Sequence, residues 1–122
     1  MKFVIPGELA DLNTYINAER SNRYAGAEIK RQMTNYITML AKRLKTKISA
    51  PVRIHFKWYT KNLRVDPDNT AFAKKFILDG IVKAGILKND SRRYIKGFTD
   101  EFDVDPEEPR VEVEIVECTI RN

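Results

Sequence analysis

Apolar residues recur at helical spacing in three stretches of the chain. The longest stretch begins near residue 25 and should end before Pro51, and its apolar stripe consists of Ile29, Met33, Ile37, Leu40 and Leu44. Steps of three and four residues place such side chains on one face of a helix. A shorter pattern covers residues 8–18, and a third begins at Asn69 and ends before Gly85, a glycine typical of helix C-termini. The pattern therefore predicts three helices.

Alternating residue types predict strands elsewhere. Over residues 52–59 the even positions are apolar and the odd ones basic or aromatic, which is the period of a half-buried strand. Residues 2–5, 93–98 and 110–117 predict three further strands, and the acidic, proline-containing residues 100–109 predict a loop. In order, these elements predict one small domain over residues 1–122 of the α/β (α+β) class, with a mixed β-sheet and helices packed mainly on one face.

Composition narrows the class of protein. A chain of 122 residues with 43% hydrophobic residues can form one core and is too apolar to stay disordered. It contains no apolar run near the roughly twenty residues of a membrane span and no signal-peptide pattern, so we expect a cytoplasmic protein with no membrane partner. Cys118 and His55 are the only residues of their types, which excludes an internal disulfide and a cysteine-based zinc cluster within one chain.

The net charge of +5 is unevenly distributed along the chain. Residues 1–98 contain 20 of the 22 Lys and Arg residues but only 8 of the 17 acids, a surplus of twelve positive charges. Residues 99–122 contain the other 9 acids and 2 basic residues, which leaves seven negative charges. A body this basic attracts polyanions, of which nucleic acid is the usual one in the cytoplasm. A soluble protein with a basic face is the plainer interpretation.

Three acids of the basic part form a candidate metal site. Asp66 and Asp68 flank Pro67, which favours an extended backbone with both carboxylates on one side. Asp90 follows the third helix, and a chain that returns alongside this helix would bring Asp90 back to the helix start. Three carboxylates without thiol or imidazole favour Mg²⁺ or Mn²⁺. Alternatively, Asp68 or Asn69 caps the helix and Asp66 only belongs to a turn.

Spacing excludes two other kinds of site around Asp66. An EF-hand starting there needs glycine at position 71 and glutamate at position 77, where the chain has Ala71 and Ile77. The chain also lacks a glycine-rich run followed by Lys-Ser or Lys-Thr, which excludes a P-loop. A metal held by carboxylates in a basic protein instead suits phosphodiester hydrolysis.

Basic side chains near these carboxylates fit the same chemistry. Lys75 lies seven residues after Asp68, about two helical turns on and on the same side, and Lys74 precedes it. A solvated lysine pair is the plainer interpretation. The candidate contacts to DNA phosphates are Arg53, Lys57, Arg64, Lys74, Arg92, Arg93 and Lys96.

One motif resembles the core of the RusA family of Holliday-junction resolvases. It consists of Asp66-Pro67-Asp68-Asn69, then a lysine, Lys75, four residues before Asp79, and then Ala-Gly and an acidic turn that ends at Asp90. The resemblance is strong over residues 64–98, fair over the last strand and weak over residues 1–50. The chain departs from the family pattern at Phe72, where counting forward from Asp68 places the family lysine, and Lys74 is the reserve candidate for that role.

The resemblance implies a homodimeric endonuclease that requires Mg²⁺ or Mn²⁺ and resolves four-way DNA junctions by paired symmetric nicks, in DNA recombination and repair. It implies catalytic roles for Asp66, Asp68, Asp90 and Lys75, with the three aspartates as metal ligands. A twofold dimer matches the symmetry of two scissile strands. Two other functions stay open: a non-catalytic DNA-binding or architectural protein, which the Phe72 departure favours, and an RNA-binding or RNA-cleaving domain.

Overall fold

Four strands form one mixed sheet in the order β1-β4-β2-β3 in the computed structural model, which describes residues 1–118. The strands are β1 (Lys2–Pro6), β2 (Val52–Thr60), β3 (Ile95–Val104) and β4 (Arg110–Glu117). The helices are α1 (Leu12–Ser21), α2 (Ala25–Lys42), α3 (Pro67–Ala71) and α4 (Lys74–Lys83). β4 is antiparallel to β1 and β2, whereas β2 and β3 are parallel and are joined through α3 and α4. These elements confirm the predicted α+β domain.

One face of the sheet carries the hydrophobic core. Phe56 and Trp58 of β2 are buried, as the alternation predicts, and the register places Val113 of β4 beside Phe56. The apolar stripe of α2 packs against this face, with Ile37 fully buried. Side chains such as Lys57, one residue out of phase, lie on the opposite and more accessible face. Helices therefore pack mainly on one face, which confirms the prediction.

Two glycines shape the path of α4. A Cβ atom on Gly80 would lie only 2.5 Å from Ile37 Cγ2, so the close crossing of α2 and α4 requires glycine there. After α4, Gly85 has a φ of 84° and the Ile86 N–H donates to the Ile81 carbonyl over 3.1 Å. This is a Schellman helix ending, and Gly85 is the C-terminal glycine that the sequence predicts.

The predicted loop at residues 100–109 is wrong over its first half. β3 extends through Val104, and its pairing with β2 brings Asp100 beside Phe56 and Phe102 beside Trp58. The parallel partner strand supplies hydrogen bonds along this whole stretch, so that backbone pairing outweighs the acidic composition. Only residues 105–109 form the turn into β4.

Two helix boundaries also differ from the prediction. α1 begins at Leu12 rather than near residue 8, because the Asp11 carboxylate caps it by accepting a hydrogen bond from Thr14 N over 2.8 Å. The predicted third helix is divided into α3 and α4 by a turn at residues 72–73. Hydrogen bonds of the 3₁₀ type, from residue i to residue i−3, form at this turn. One of them runs from Phe76 N to the Ala73 carbonyl over 3.0 Å.

Candidate functional site

Asp66 lies where the chain leaves the C-terminal end of β2 and enters α3. Its backbone is extended, with φ of −66° and ψ of 154°, as expected for a residue before proline. It lines a cleft of about 240 Å³ together with Thr60, Asn62 and Asp103. The backbone that follows is helical from Pro67, so the predicted extended arrangement of both aspartates is not present. The two Cα atoms still lie no more than about 7 Å apart, since only one residue separates them.

The carboxylates of Asp66 and Asp68 are exposed, and neither forms a side-chain hydrogen bond or salt bridge with the described residues that would stabilise the fold. Asp66 is the N-cap residue of α3, but its side chain accepts no hydrogen bond from the helix. The N-cap aspartate of α1, Asp11, does accept such a bond. Within residues 1–118, no side-chain hydrogen bond or salt bridge involves Asp66 or Asp68. Both carboxylates therefore remain accessible to an external ligand.

Asp90 lies at the other end of the sheet. α4 runs away from the Asp66 end, and Ile48 N, just before β2, donates to the Ile86 carbonyl, just after α4, over 2.8 Å. Tyr94 and Val52 then connect through a 2.7 Å backbone hydrogen bond at the start of the parallel pair. α3 (5 residues) and α4 (10 residues) lie between Asp66 and Asp90 along the chain, and α4 alone spans about 15 Å.

The expected convergence of three carboxylates is therefore not found within one chain. The loop after α4 returns to the N-terminal end of β2 and not to the start of α3, because a parallel β-α-β connection must cross back over the sheet. Accordingly, residues 1–118 contain no group of three or more His, Cys, Asp or Glu side chains that could hold a metal ion. Asp66 and Asp68 remain together, and Asp90 is separate.

Lys74 and Lys75 have different surroundings at the start of α4. The Lys74 ammonium pairs with the Asp100 carboxylate over 2.6 Å and lies over the rings of Phe56 and Phe98, 5.1 and 4.6 Å from their centroids. Asp100 also accepts the indole N–H of Trp58 over 2.8 Å. Lys74 thus belongs to an internal network.

Lys75, by contrast, is exposed, and no salt bridge within the described residues involves it. Phe72 packs 5.4 Å from the ring of Tyr15 and 5.7 Å from that of Phe76, so the position of the family lysine counted from Asp68 belongs to an aromatic cluster. Of the two candidate lysines, Lys75 is the one open to a ligand.

The end of the sheet where Asp90 lies is strongly basic. Three segments meet there, namely the α2–β2 loop with the start of β2, the α4–β3 loop, and the start of β3. We call this region the basic end, and its cations are Arg43, Lys45, Lys47, Arg53, Lys88, Arg92, Arg93 and Lys96. The acids at this end are Asp90 and Glu117, the latter opposite Val52 in the sheet. Arg53, Arg92, Arg93 and Lys96 thus lie at the end of the sheet that contains Asp90 and not at the end that contains Asp66.

The opposite end of the sheet is acidic. We call it the acidic end, and its acids are Glu8, Asp11, Asp66, Asp68, Asp103, Asp105, Glu107 and Glu108. Its cations are Lys61, Arg64 and Arg110. Arg110 donates to Asp105 over 2.8 Å and to Glu112 over 2.9 Å, and the Asp105 hydrogen bond is the main cause of the raised pKa of Arg110. The same bond lowers the pKa of Asp105.

The accessible face of the sheet is mixed in charge. Lys57 lies between Glu112 of β4 and Glu101 of β3 in the register of the sheet. Interaction with the Tyr59 hydroxyl raises the pKa of Lys57, with smaller contributions from Glu101 and Asp103. This face forms a shallow cavity of about 590 Å³. The sequence predicts that Lys57 contacts DNA phosphates, but Glu101 and Glu112 beside it offset its positive charge.

Sequence reasoning missed Asp100 and Asp103, because residues 100–109 were predicted to be a loop. Asp103 shares the cleft of Asp66, and Asp100 holds Lys74. The alternation of Phe98, Phe102 and Val104 at even positions is the signal that would have indicated a strand there.

Comparison with protein-family models and with curated proteins gives no match for this chain. The resemblance to the RusA family therefore depends on the motif residues alone. In the described part of the chain, none of the helices has the length and apolar character needed to cross a membrane.

Proposed function

We propose that this protein is a metal-dependent, structure-selective endodeoxyribonuclease that makes paired nicks in four-way DNA junctions, in recombination and repair. The observation that supports it most is the exposed, unengaged pair Asp66 and Asp68 within the RusA-like motif. Mg²⁺ is commonly held by one or two carboxylates together with water and substrate phosphates, so this pair suits Mg²⁺ or Mn²⁺. When bound, the metal would activate water and offset the charge that develops on the phosphate.

The position of Asp90 favours a site shared between two subunits. In a twofold dimer that places the Asp90 loop of each subunit beside the start of α3 of the other, Asp90 of the partner subunit approaches Asp66 and Asp68. A twofold contact is reciprocal, so it produces two equal sites, one for each scissile strand of a junction.

Lys75 is the side chain best suited to neutralise a phosphate oxygen near Asp68. It is exposed on the first turn of α4, which follows α3 directly, whereas the cation of Lys74 is already paired with Asp100. A free ammonium near a scissile phosphate lowers the barrier by stabilising charge in the transition state. Lys74 instead fixes the start of α4 against β3.

A junction-cleavage assay tests this function. The purified protein is incubated with a labelled four-way junction and Mg²⁺, beside an Asp68→Asn variant, which keeps the size of the side chain and removes its charge. We expect symmetric nicks from the wild type and a loss of at least about 100-fold in the variant, with binding retained. Equal nicking by both proteins would show that Asp68 is not part of the site.

A non-catalytic DNA-binding or architectural protein is the second candidate function. Two observations favour it, namely that Phe72 packs in an aromatic cluster at the position of the family lysine and that Asp90 is remote from Asp66 within one chain. In the same assay, tight junction binding by both proteins without nicks would support this alternative. Replacing the junction with structured RNA tests the RNA-binding or RNA-cleaving function in the same way.

A further inference from the structure

The basic end contains three lysines for which the proposed metal site around Asp66 gives no role. The loop before β2 contributes Lys45 and Lys47, and the loop after α4 contributes Lys88, none of which is among the contacts to DNA phosphates that the sequence predicts. We propose that these three lysines, together with Arg92 and Arg93, form a surface that binds the phosphate backbone of DNA. This inference rests on the proposed function in taking DNA as the partner, but it does not depend on cleavage.

Backbone hydrogen bonds hold the two loops together. Ile48 N donates to the Ile86 carbonyl over 2.8 Å, which places Lys47 and Lys88 on neighbouring chain segments, each within two residues of that bond. Val52 N donates to the Tyr94 carbonyl over 2.7 Å, next to Arg93. The fold therefore brings together the backbone positions of cations that come from separate segments of the chain.

These cations have little internal compensation. All eight cations of the basic end are exposed, and none takes part in a salt bridge or side-chain hydrogen bond within residues 1–118. Asp90 and Glu117 are the acids at this end. Cations this close together repel each other, and a polyanion relieves that repulsion while releasing its own counterions. The complementary partner is a backbone with regularly spaced phosphates.

Lys45 provides an independent observation. Its φ of 49° lies in the left-handed region, which glycine adopts readily at a helix end and lysine adopts at a cost. Such a conformation is retained where the surrounding structure, or a function of the side chain, offsets its cost. At this position the side chain offers only a flexible stem and an exposed positive charge.

The test is DNA binding measured in EDTA, so that cleavage plays no part. The wild type is titrated with a short duplex and a four-way junction at several salt concentrations, beside the double variant Lys47→Ala/Lys88→Ala. Each lost phosphate contact should reduce the slope of log K against log salt by about 0.9, so we expect a reduction of about 1.8 and weaker binding to every sequence. The matched control, Lys30→Ala/Lys61→Ala, removes two exposed cations from elsewhere and should keep the wild-type slope.

Lys45→Gly distinguishes binding from folding. It should raise the unfolding temperature by relieving the strained backbone, and at the same time weaken DNA binding by removing one phosphate contact. A purely structural lysine would not change stability and binding in opposite directions. If Lys45→Gly is more stable and binds DNA as well as the wild type, Lys45 is not part of the surface.

The outcomes separate this inference from the proposed function. Binding that depends on Lys47 and Lys88, without nicks in Mg²⁺, supports the surface and overturns the nuclease. Nicking together with an unchanged salt slope in the double variant overturns the surface and leaves the nuclease standing. An equal loss in the control variant would mean that net charge alone drives binding, which also overturns the surface. Tighter binding to double-stranded RNA than to DNA would overturn DNA as the partner.

Discussion

The two ends of the sheet are formed by the same parallel strands, yet they differ in sign and in internal pairing. The basic end has eight cations and two acids, and the acidic end has eight acids and three cations. Along the sequence, the charge appears as a basic body followed by an acidic C-terminal part. In the fold, four acids from the basic part of the sequence lie at the same end of the sheet as the acidic turn, namely Glu8, Asp11, Asp66 and Asp68. The folded protein therefore has positive charge at one end of β2 and negative charge at the other.

Internal pairing also differs between the ends. Arg110 at the acidic end bonds two carboxylates and lies 3.8 Å from the ring centroid of Tyr59, so part of that charge is compensated within the fold. The described residues provide no ion pair for the cations of the basic end. A charged end without internal ion pairs gains more from an external partner, which is why we propose phosphate binding at the basic end and metal binding at Asp66 and Asp68.

The largest expected effect is on nicking activity in mixed dimers of two inactive variants. This experiment tests whether one site combines Asp68 of one subunit with Asp90 of the partner subunit. Asp68→Asn and Asp90→Asn are each expected to lose nicking. When the two proteins are unfolded and refolded together, about half of the dimers contain one of each, and such a dimer has one intact site if the site is shared. We expect about a quarter of the wild-type nicking rate to return, with nicks in one strand only.

A matched mixture provides the control. Asp68→Asn refolded with Asp66→Asn should stay inactive, because both changes lie at the same end and every shared site then lacks one carboxylate. If the Asp68→Asn and Asp90→Asn mixture also stays inactive while dimers form, the site is not shared between the two ends. Recovery of activity in both mixtures would point to a contaminating nuclease.

The middle of β3 separates the two ends, and a smaller effect is expected there. Asp100→Ala removes the partner of Lys74 and leaves the indole N–H of the buried Trp58 without an acceptor. We expect a loss of about 1–3 kcal/mol in the free energy of unfolding, measured by urea titration. Asp100→Asn should lose less, since an amide oxygen can still accept from Trp58.

Lys75→Ala is the control for this prediction, because Lys75 is exposed and next to Lys74. Its free energy of unfolding should change by less than about 0.5 kcal/mol. Nicking should fall, however, if Lys75 neutralises the phosphate. A stable Lys75→Ala protein with full nicking activity would exclude Lys75 from the site and return attention to Lys74.

The fold was largely predictable because its signals are local. The alternation of β2 and the apolar stripe of α2 both follow from side-chain periodicity, and Gly85 ends its helix as expected. β3 was truncated in the prediction because its acidic residues obscure the alternation, and only pairing with β2 shows that they lie in a strand. Pairing between segments that are distant in the sequence cannot be predicted from the residues of one short segment alone.

The candidate site was less predictable for a related reason. The closeness of Asp66 and Asp68 follows from their spacing, but the position of Asp90 depends on where the crossover returns. The prediction assumed that the chain folds back to the start of its own helix. The parallel pairing of β2 and β3 instead requires α3 and α4 to span the sheet, which moves Asp90 to the opposite end.

The smallest expected effect is a pH dependence of stability that arises from the ion pair between Arg110 and Asp105 at the acidic end. The hydrogen bond from Arg110, and then that from the Glu108 amide, lower the pKa of Asp105 below its ordinary value of 3.8. The native state therefore favours the charged carboxylate. Its stabilising contribution is present above pH 3.8 and is lost as the pH falls through the lowered native pKa. Asp105→Asn should unfold at a lower temperature than the wild type near neutral pH, and the two unfolding temperatures should converge in acid.

Glu107→Gln is the matched control, since it removes one negative charge from the same turn and Glu107 takes no part in a salt bridge within the described residues. If net charge alone governed the acidic end, both variants would show the same pH dependence. If pairing with Arg110 governs it, only Asp105→Asn should show convergence with the wild type as the pH falls. Equal curves would mean that the acidic end is as uncompensated as the basic end, and the distinction between the two ends would then be one of sign alone.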